Sequence, residues 1–260
     1  MRRRGKTSVL APIGTSPPVI TEFVQYLEGG IGERIDDLVL ISTSDPYIRS
    51  CADLAEQALA DRYPRIRVHR FELGFGDLDS EERVREFMLE MAKLLRDQVK
   101  RHGVDRIYIN SAGGRKDSLI ALSVLAQIFP VRGIFHVVMP EVRAFNVELE
   151  RAKREIEELG RAEDKRAYYL AHRSLFDPLM YPDRSRYSVV KIPILPQPLD
   201  WLKALSKALG KGGLPAAKSG LDPDHIIRLA MAGILQYDGK RIYPTEDGKF
   251  FAEILKVALG

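Results

Sequence analysis

The chain has 260 residues, 45% apolar and 29% charged, the balance of a soluble globular protein with one domain of moderate size plus a small one. No apolar run approaches the ~18 residues of a membrane span, the stretch 8–13 is too short for a signal peptide, and Cys51 alone makes neither a disulfide framework nor a thiolate metal site. The formal net charge of +4 is matched by Arg2, Arg3, Arg4 and Lys6 on a terminus expected to fray, so charge marks no nucleic-acid-binding face and a cytoplasmic protein is expected.

Ser8–Ile13 reads as a short buried strand that runs into Gly14-Thr15-Ser16-Pro17, and a helix follows with Val19, Phe23, Tyr26 and Leu27 on one side. Asp37–Ile41 is a second buried strand, ending in Ser42–Asp45, and Tyr47–Tyr63 is helical. Arg65–Phe71 alternates like a strand with one exposed face, and Glu81–His102 is a long amphipathic helix. Arg106–Asn110 forms the next strand, Ser111–Lys116 a turn, Asp117–Phe129 an apolar helix and Gly133–Met139 a further strand. This alternation implies βαβ crossovers and an α/β, Rossmann-like, mostly parallel sheet. Ligands of such sheets lie beyond the carboxyl ends of the strands, where this chain carries 14–16, 42–45 and 111–116.

From Ala144 to about His172 the pattern is a charged helix or helix pair with the apolar stripe Ala152, Ile156 and Leu159. Phe176–Asp183 reads as a turn-rich loop, and Ser188–Pro196 as an edge strand because of its prolines. The first domain is thus 1–196, with a helical insertion at about 144–187. The remainder, 197–260, offers a helix at Trp201–Leu209, a second at Pro223–Ala232 capped by Asp222, a hairpin turning at Asp238-Gly239, and a final helix opened by Thr245. That order resembles a small winged helix-turn-helix domain.

Two clusters carry chemistry. In Gly14-Thr15-Ser16-Pro17 the glycine admits an anion to the backbone while hydroxyls and helix-start amides donate to it; a turn with a Thr or Ser N-cap is the plainer reading. The dinucleotide G-x-G-x-x-G and the P-loop ending are both absent. In Asn110-Ser-Ala-Gly-Gly-Arg-Lys-Asp, Gly113 and Gly114 bring backbone close while Arg115 and Lys116 set two cations at the positive end of a helix. Cations there are unfavourable unless an anion is bound. The histidines are scattered without a zinc-binding spacing, so neither metal nor cofactor is expected.

These clusters resemble the two motifs of the CRISPR-associated Rossmann-fold (CARF) family: Gly-Thr-Ser-Pro leading into Val19, Ile20, Thr21 and Glu22, and Gly113-Gly114-Arg115-Lys116. The resemblance covers roughly 8–196 and is nearest to CRISPR-associated ring nucleases with a C-terminal winged helix. It implies a homodimer that binds a cyclic oligoadenylate across its two-fold axis and cleaves it, usually cyclic tetra-adenylate, without metal. Each ribose 2′-hydroxyl would attack the adjacent phosphorus. Lys116 would then meet the charge on the phosphate and the leaving 5′ oxygen, and Ser16 would orient the reacting phosphate or ribose. Thr15, Gly14, Gly113 and Gly114 would assist in binding. Arg115 would anchor a neighbouring phosphate or face solvent. Ser44 joins the ligand set, and Asp45 would contact adenine or ribose, or open the turn at Pro46. Tyr168 would stack on adenine if the insertion covers the ring; otherwise one of Tyr168 and Tyr169 packs in the core and the other lies at the surface.

Three rival readings follow from the same residues. A sensor would bind the ring without cutting it. A transcription regulator would use the winged helix on DNA, although Asp200–Gly260 holds nine Lys/Arg against seven Asp/Glu. The spacing Arg166 to His172 matches that of HEPN ribonucleases, but no helical effector domain surrounds it.

Overall fold

The computed structural model describes residues 5–210 and 212–260; the basic run Arg2–Arg4 lies outside them. In chain order the elements are β1 (Thr7–Pro12), α1 (Pro18–Gln25), β2 (Asp37–Ser42), α2 (Pro46–Arg62), β3 (Arg67–Glu72), α3 (Glu81–Lys100), β4 (Arg106–Asn110), α4 (Lys116–Ile128) and β5 (Gly133–Val138). They continue through α5 (Val142–Arg161), α6 (Lys165–Ala171), α7 (Arg173–Met180) and β6 (Ser188–Ile192). One sheet results, in the order β3-β2-β1-β4-β5-β6. Its first five strands are parallel, and β6 pairs antiparallel with β5 at the edge. The expected Rossmann-like α/β class is therefore the observed one.

Apolar residues occupy both faces of the central strands because helices cover both. Val9, Ala11, Leu38 and Leu40 face a core shared with α1, α2 and α5–α7, while Leu10, Val39, Ile41 and Ile109 face one shared with α3 and α4. Each such Leu or Ile removed from water contributes on the order of 2 kcal/mol. Strand order reverses between β1 and β4, so the connection from β3 to β4 must change faces of the sheet. That reversal opens a crevice at the carboxyl ends of β1 and β4.

Several helix starts follow side-chain capping. Asp45 Oδ1 accepts from Tyr47 N and Ile48 N, Ser80 Oγ from Arg83 N, and Asp222 Oδ1 from His225 N, the last as expected. The stretch Phe176–Asp183 departs from the expected loop. It enters α7 with Pro178 inside the helix, because Phe176, Leu179 and Met180 at i, i+3 and i+4 are all buried. In so short a helix one lost backbone bond is outweighed by that burial. Lys6 also departs from a frayed terminus: its Nζ lies 2.8 Å from Asp37, and its backbone N–H donates to Asp105 Oδ2 at 2.7 Å.

The C-terminal segment forms α8 (Leu199–Ala208), β7 (Leu214–Pro215), α9 (Pro223–Met231), β8 (Leu235–Tyr237), β9 (Arg241–Pro244) and α10 (Glu246–Leu259). Its antiparallel sheet runs β7-β9-β8. The two residues of β7 are too few to leave an alternation in the sequence, which therefore announces only the hairpin. Ile254 of α10 is fully buried in the core beneath α3 and α4. No helix among the described residues is long and apolar enough to cross a membrane.

Candidate functional site

The loops after β1 and β4 meet at the crevice, backbone against backbone. A Cβ on Gly113 would fall 2.1 Å from the carbonyl oxygen of Pro12, and one on Gly14 would fall 3.1 Å from Gly114 N. Gly114 sits at φ +80°, in the left-handed region open to glycine. Three of the expected ligand residues, Gly14, Gly113 and Gly114, are therefore joined in one structure, each for a steric reason.

Asn110 staples this junction together, a positioning role that the motifs alone do not assign. Fully buried, its Nδ2 donates to Val19 O at 2.9 Å while its Oδ1 accepts from Ala112 N at 3.0 Å. A polar amide ending an otherwise apolar strand is the signal the sequence offers for it. Ser111 Oγ donates to Phe135 O, and Ser118 Oγ to Arg115 O, which fix the loop against β5 and the first turn of α4.

The two helix starts differ in what they can donate. The α1 start has Pro17 as N-cap and Pro18 at its first position, neither of which has an N–H, and Ile20 N donates back to Pro17 O. The α1 start therefore offers fewer free amides than the sequence suggests, and neither Thr15 nor Ser16 caps the helix. Among the described residues neither of those hydroxyls has a hydrogen-bond partner; Thr15 is exposed and Ser16 half-buried. The α4 start keeps its amides: Arg115 is the N-cap with no side-chain cap, and the first-turn N–H groups have no acceptor within the helix. Lys116 opens α4, exposed and without an ion pair among the described residues.

Arg115 is otherwise engaged, in an ion pair with Asp77 from the segment after β3. Ser44 N donates to Phe75 O of the same segment. Asp45 spends its carboxylate on α2, the turn-forming alternative, and its remaining oxygen is at the surface. Tyr168 lies apart: its hydroxyl donates to Glu155 at 2.8 Å and its ring stacks on His172. Tyr169 is the buried member of that pair. Arg166 is tied to Asp61 at 2.7 Å.

Glu22 on α1 is buried with Oε1 lacking any partner among the described residues, and desolvation raises its pKa to about 7 against a partial offset from Arg186. At the opposite, amino ends of the strands lie two polar clefts lined by Lys6, Asp37, Arg67 and His102 among others. Burial pushes the Asp37 carboxyl up, but hydrogen bonds from Arg67, Lys6 and His69 outweigh it and hold it well below the usual range. Those charges neutralise one another. The crevice end, by contrast, carries the hydroxyls of Thr15 and Ser16 and the cation of Lys116, which find no partner among the described residues.

The family model for CRISPR-associated protein NE0113 matches residues 16–217 of this chain. Among solved structures the chain is similar to Enterococcus italicus Csm6 bound to cyclic hexa-2′-fluoro-hexa-dAMP, at 13% identity and a TM-score of 0.48. That match covers 79% of this chain and 47% of the other, so the chain spans about half its length. No curated protein matches.

Proposed function

We propose, from the premise that this chain belongs to the CRISPR-associated protein NE0113 family, that it is a CARF protein that binds a cyclic oligoadenylate and cleaves it as a metal-independent ring nuclease. What supports this reading is the interlock of Gly14 with Gly114 and of Gly113 with Pro12, which joins the loop that carries Thr15 and Ser16 to the loop that leads into Arg115, Lys116 and the amides of α4. Bare backbone, hydroxyls and cations at a sheet's switch point suit a run of phosphates. In one copy the cluster is an open surface. A two-fold dimer would present it twice to a symmetric ring. Ile120, one turn beyond Lys116 on α4 and 63% exposed, is apolar surface that a second copy would cover.

In this reading the nucleophile belongs to the RNA. A 2′-oxygen bonds to the adjacent phosphorus as its proton departs, the bond from phosphorus to the 5′ oxygen breaks, and that oxygen leaves as a hydroxyl. The products are linear adenylates with 2′,3′-cyclic phosphate ends. Lys116 offsets charge on the phosphate and the leaving oxygen, while Ser16 and Thr15 hold the reacting groups in line. Ser44, whose backbone N–H donates to Phe75 O, would join the ligand set from the end of β2. Tyr168, bonded to Glu155, contributes only if its helix moves over the ring.

The C-terminal unit, from residue 197, we read as a winged helix that does not primarily read DNA. The helix that would enter a groove, α9, carries Asp224, Ile227 (49% exposed), Arg228 and Met231 (84% exposed) along one side, a poor surface for phosphates. The test is to incubate purified protein with cyclic tetra-adenylate in excess EDTA, alongside Lys116→Ala, and to resolve products by mass spectrometry. Linear adenylates with cyclic-phosphate ends that disappear in the variant bear the reading out. An intact ring that co-elutes with the protein leaves a sensor, and an unbound intact ring sinks both.

A further inference from the structure

The segment that crosses from β3 to α3 reaches across the carboxyl ends of the sheet to the head of α4. In the sheet order β3-β2-β1-β4, the ends of β3 and β4 are three strand spacings apart, roughly 14 Å. Yet Asp77, soon after β3, pairs with Arg115 at the head of α4. The path between is marked by contacts: Leu73 N donates to Ser42 O, Ser44 N donates to Phe75 O, and a Cβ on Gly76 would lie 3.8 Å from Ser44 Oγ. Phe75 and Leu78 are buried and anchor the segment, whereas Gly76 between them is exposed. Residues 73–80 are thus a fixed strap, with the charge of Asp77 aimed at the cluster.

We propose that Asp77 is an intramolecular stand-in for a ligand phosphate, an autoinhibitory carboxylate that an oligoanion must displace from Arg115. The inference rests on the functional reading above for the identity of that anion, but not for the existence of the latch. Several features support it. Arg115 is 64% exposed and Asp77 36%, so the pair sits in water and exchanges partners at small cost. Asp77 also accepts from Leu78 N at 2.8 Å, which holds its carboxylate in place when Arg115 lets go. Lys116 next door has no such partner among the described residues, so one cation of the pair is ready for the first phosphate and the other is guarded. A ligand with a single phosphate would gain Lys116 and leave the latch shut. One with several closely spaced phosphates would open it, which selects for oligonucleotides over mononucleotides.

A double-mutant cycle in the full chain tests this. Wild type, Asp77→Asn, Arg115→Ala and the double variant are titrated by calorimetry with cyclic tetra-adenylate, and in parallel with sodium tripolyphosphate. Asn keeps an oxygen for Leu78 N–H and removes only the charge. Asp77→Asn is expected to bind roughly two- to fivefold tighter than wild type, the range of an exposed ion pair, and to lose more than half of that gain when Arg115 is Ala. AMP should gain less than either oligoanion. An equal gain in both Arg115 backgrounds, or none, overturns the latch. If the ring binds no variant while tripolyphosphate shows the Arg115-dependent gain, the latch stands and the ring reading fails. If tripolyphosphate shows no such gain either, the latch fails with it.

Discussion

Replacing Gly113 by alanine tests whether the crevice is built by backbone contact. The new Cβ would lie 2.1 Å from Pro12 O and 3.3 Å from Ile13 Cα, both main-chain atoms of the β1 end. Non-bonded heavy atoms settle at roughly 3.5 Å, so the loop after β4 must retreat by more than ~1 Å. Overpacking of this kind costs about 1–3 kcal/mol. The shift also strains the hydrogen bonds of Asn110 to Val19 and Ala112, worth about 1 kcal/mol more. At roughly 2–4 °C per kcal/mol for a chain of this size, the melting temperature should fall by roughly 4–16 °C. Ring cleavage should fall further, on the order of a hundredfold, because the cations of α4 move away from the hydroxyls of the β1 loop. Gly74→Ala is the control, since nothing lies within 4 Å of its added carbon. Scanning calorimetry and a cleavage time course on both variants decide it. A Gly113→Ala protein that melts within a degree of wild type and cleaves as fast would refute the steric argument for the site.

Three further outcomes follow from other residues. Lys116→Ala should slow cleavage by about 10²–10³ while weakening ring binding far less, since it removes charge stabilisation at an exposed position; single-turnover rates against titrated affinity separate the two. Glu22→Gln should abolish a pH dependence of stability. Its folded pKa of about 7 lies above the unfolded value of 4.5, so the stability it lends is full below about pH 4.5 and lost as pH rises through 7. The loss is on the order of 3 kcal/mol, and the Gln variant should melt above wild type at pH 8 and level with it at pH 4.5. Asp37→Asn should destabilise by about 1–3 kcal/mol at pH 7, because the carboxylate that gathers Lys6, Arg67 and His69 is gone; with its folded pKa far below the unfolded 3.8 the carboxyl stays ionised in the fold at pH 3, so denaturant midpoints should show the gap narrowed there but still open.

Much of the sheet is legible in the sequence because burial leaves a plain record: 8–13, 37–41 and 106–110 are largely apolar, as strands covered on both faces must be. The edge strand β6 is legible through its flanking prolines. Helix α7 is not, since Pro178 outweighs three apolar residues in any local reading, and only the core they fill makes the helix the lower-energy state. At the site, Gly14, Gly113, Gly114, Arg115 and Lys116 can be grouped because each lies at a strand end. Tyr168 has only its residue type to suggest a ligand role, and it bonds within its own helical layer. Asp77 is invisible for a different reason. It stands 38 residues from Arg115, and only the strand order brings the two together.

The two proline residues at the head of α1 show why the two loops take different tasks. A helix that starts Pro17-Pro18 has few free amides, so the hydroxyls of Thr15 and Ser16, which find no partner among the described residues, are the side-chain donors left for an anion on that side. Across the crevice α4 starts on Arg115-Lys116 with amides uncovered and Asp117 in its first turn, and the two cations outnumber that carboxylate at the helix N-terminus until a further anion arrives. Asp77 supplies that anion when no ligand does. The strap, the glycine interlock and the bare start of α4 therefore form one electrostatic arrangement: a positive helix end neutralised provisionally by a carboxylate.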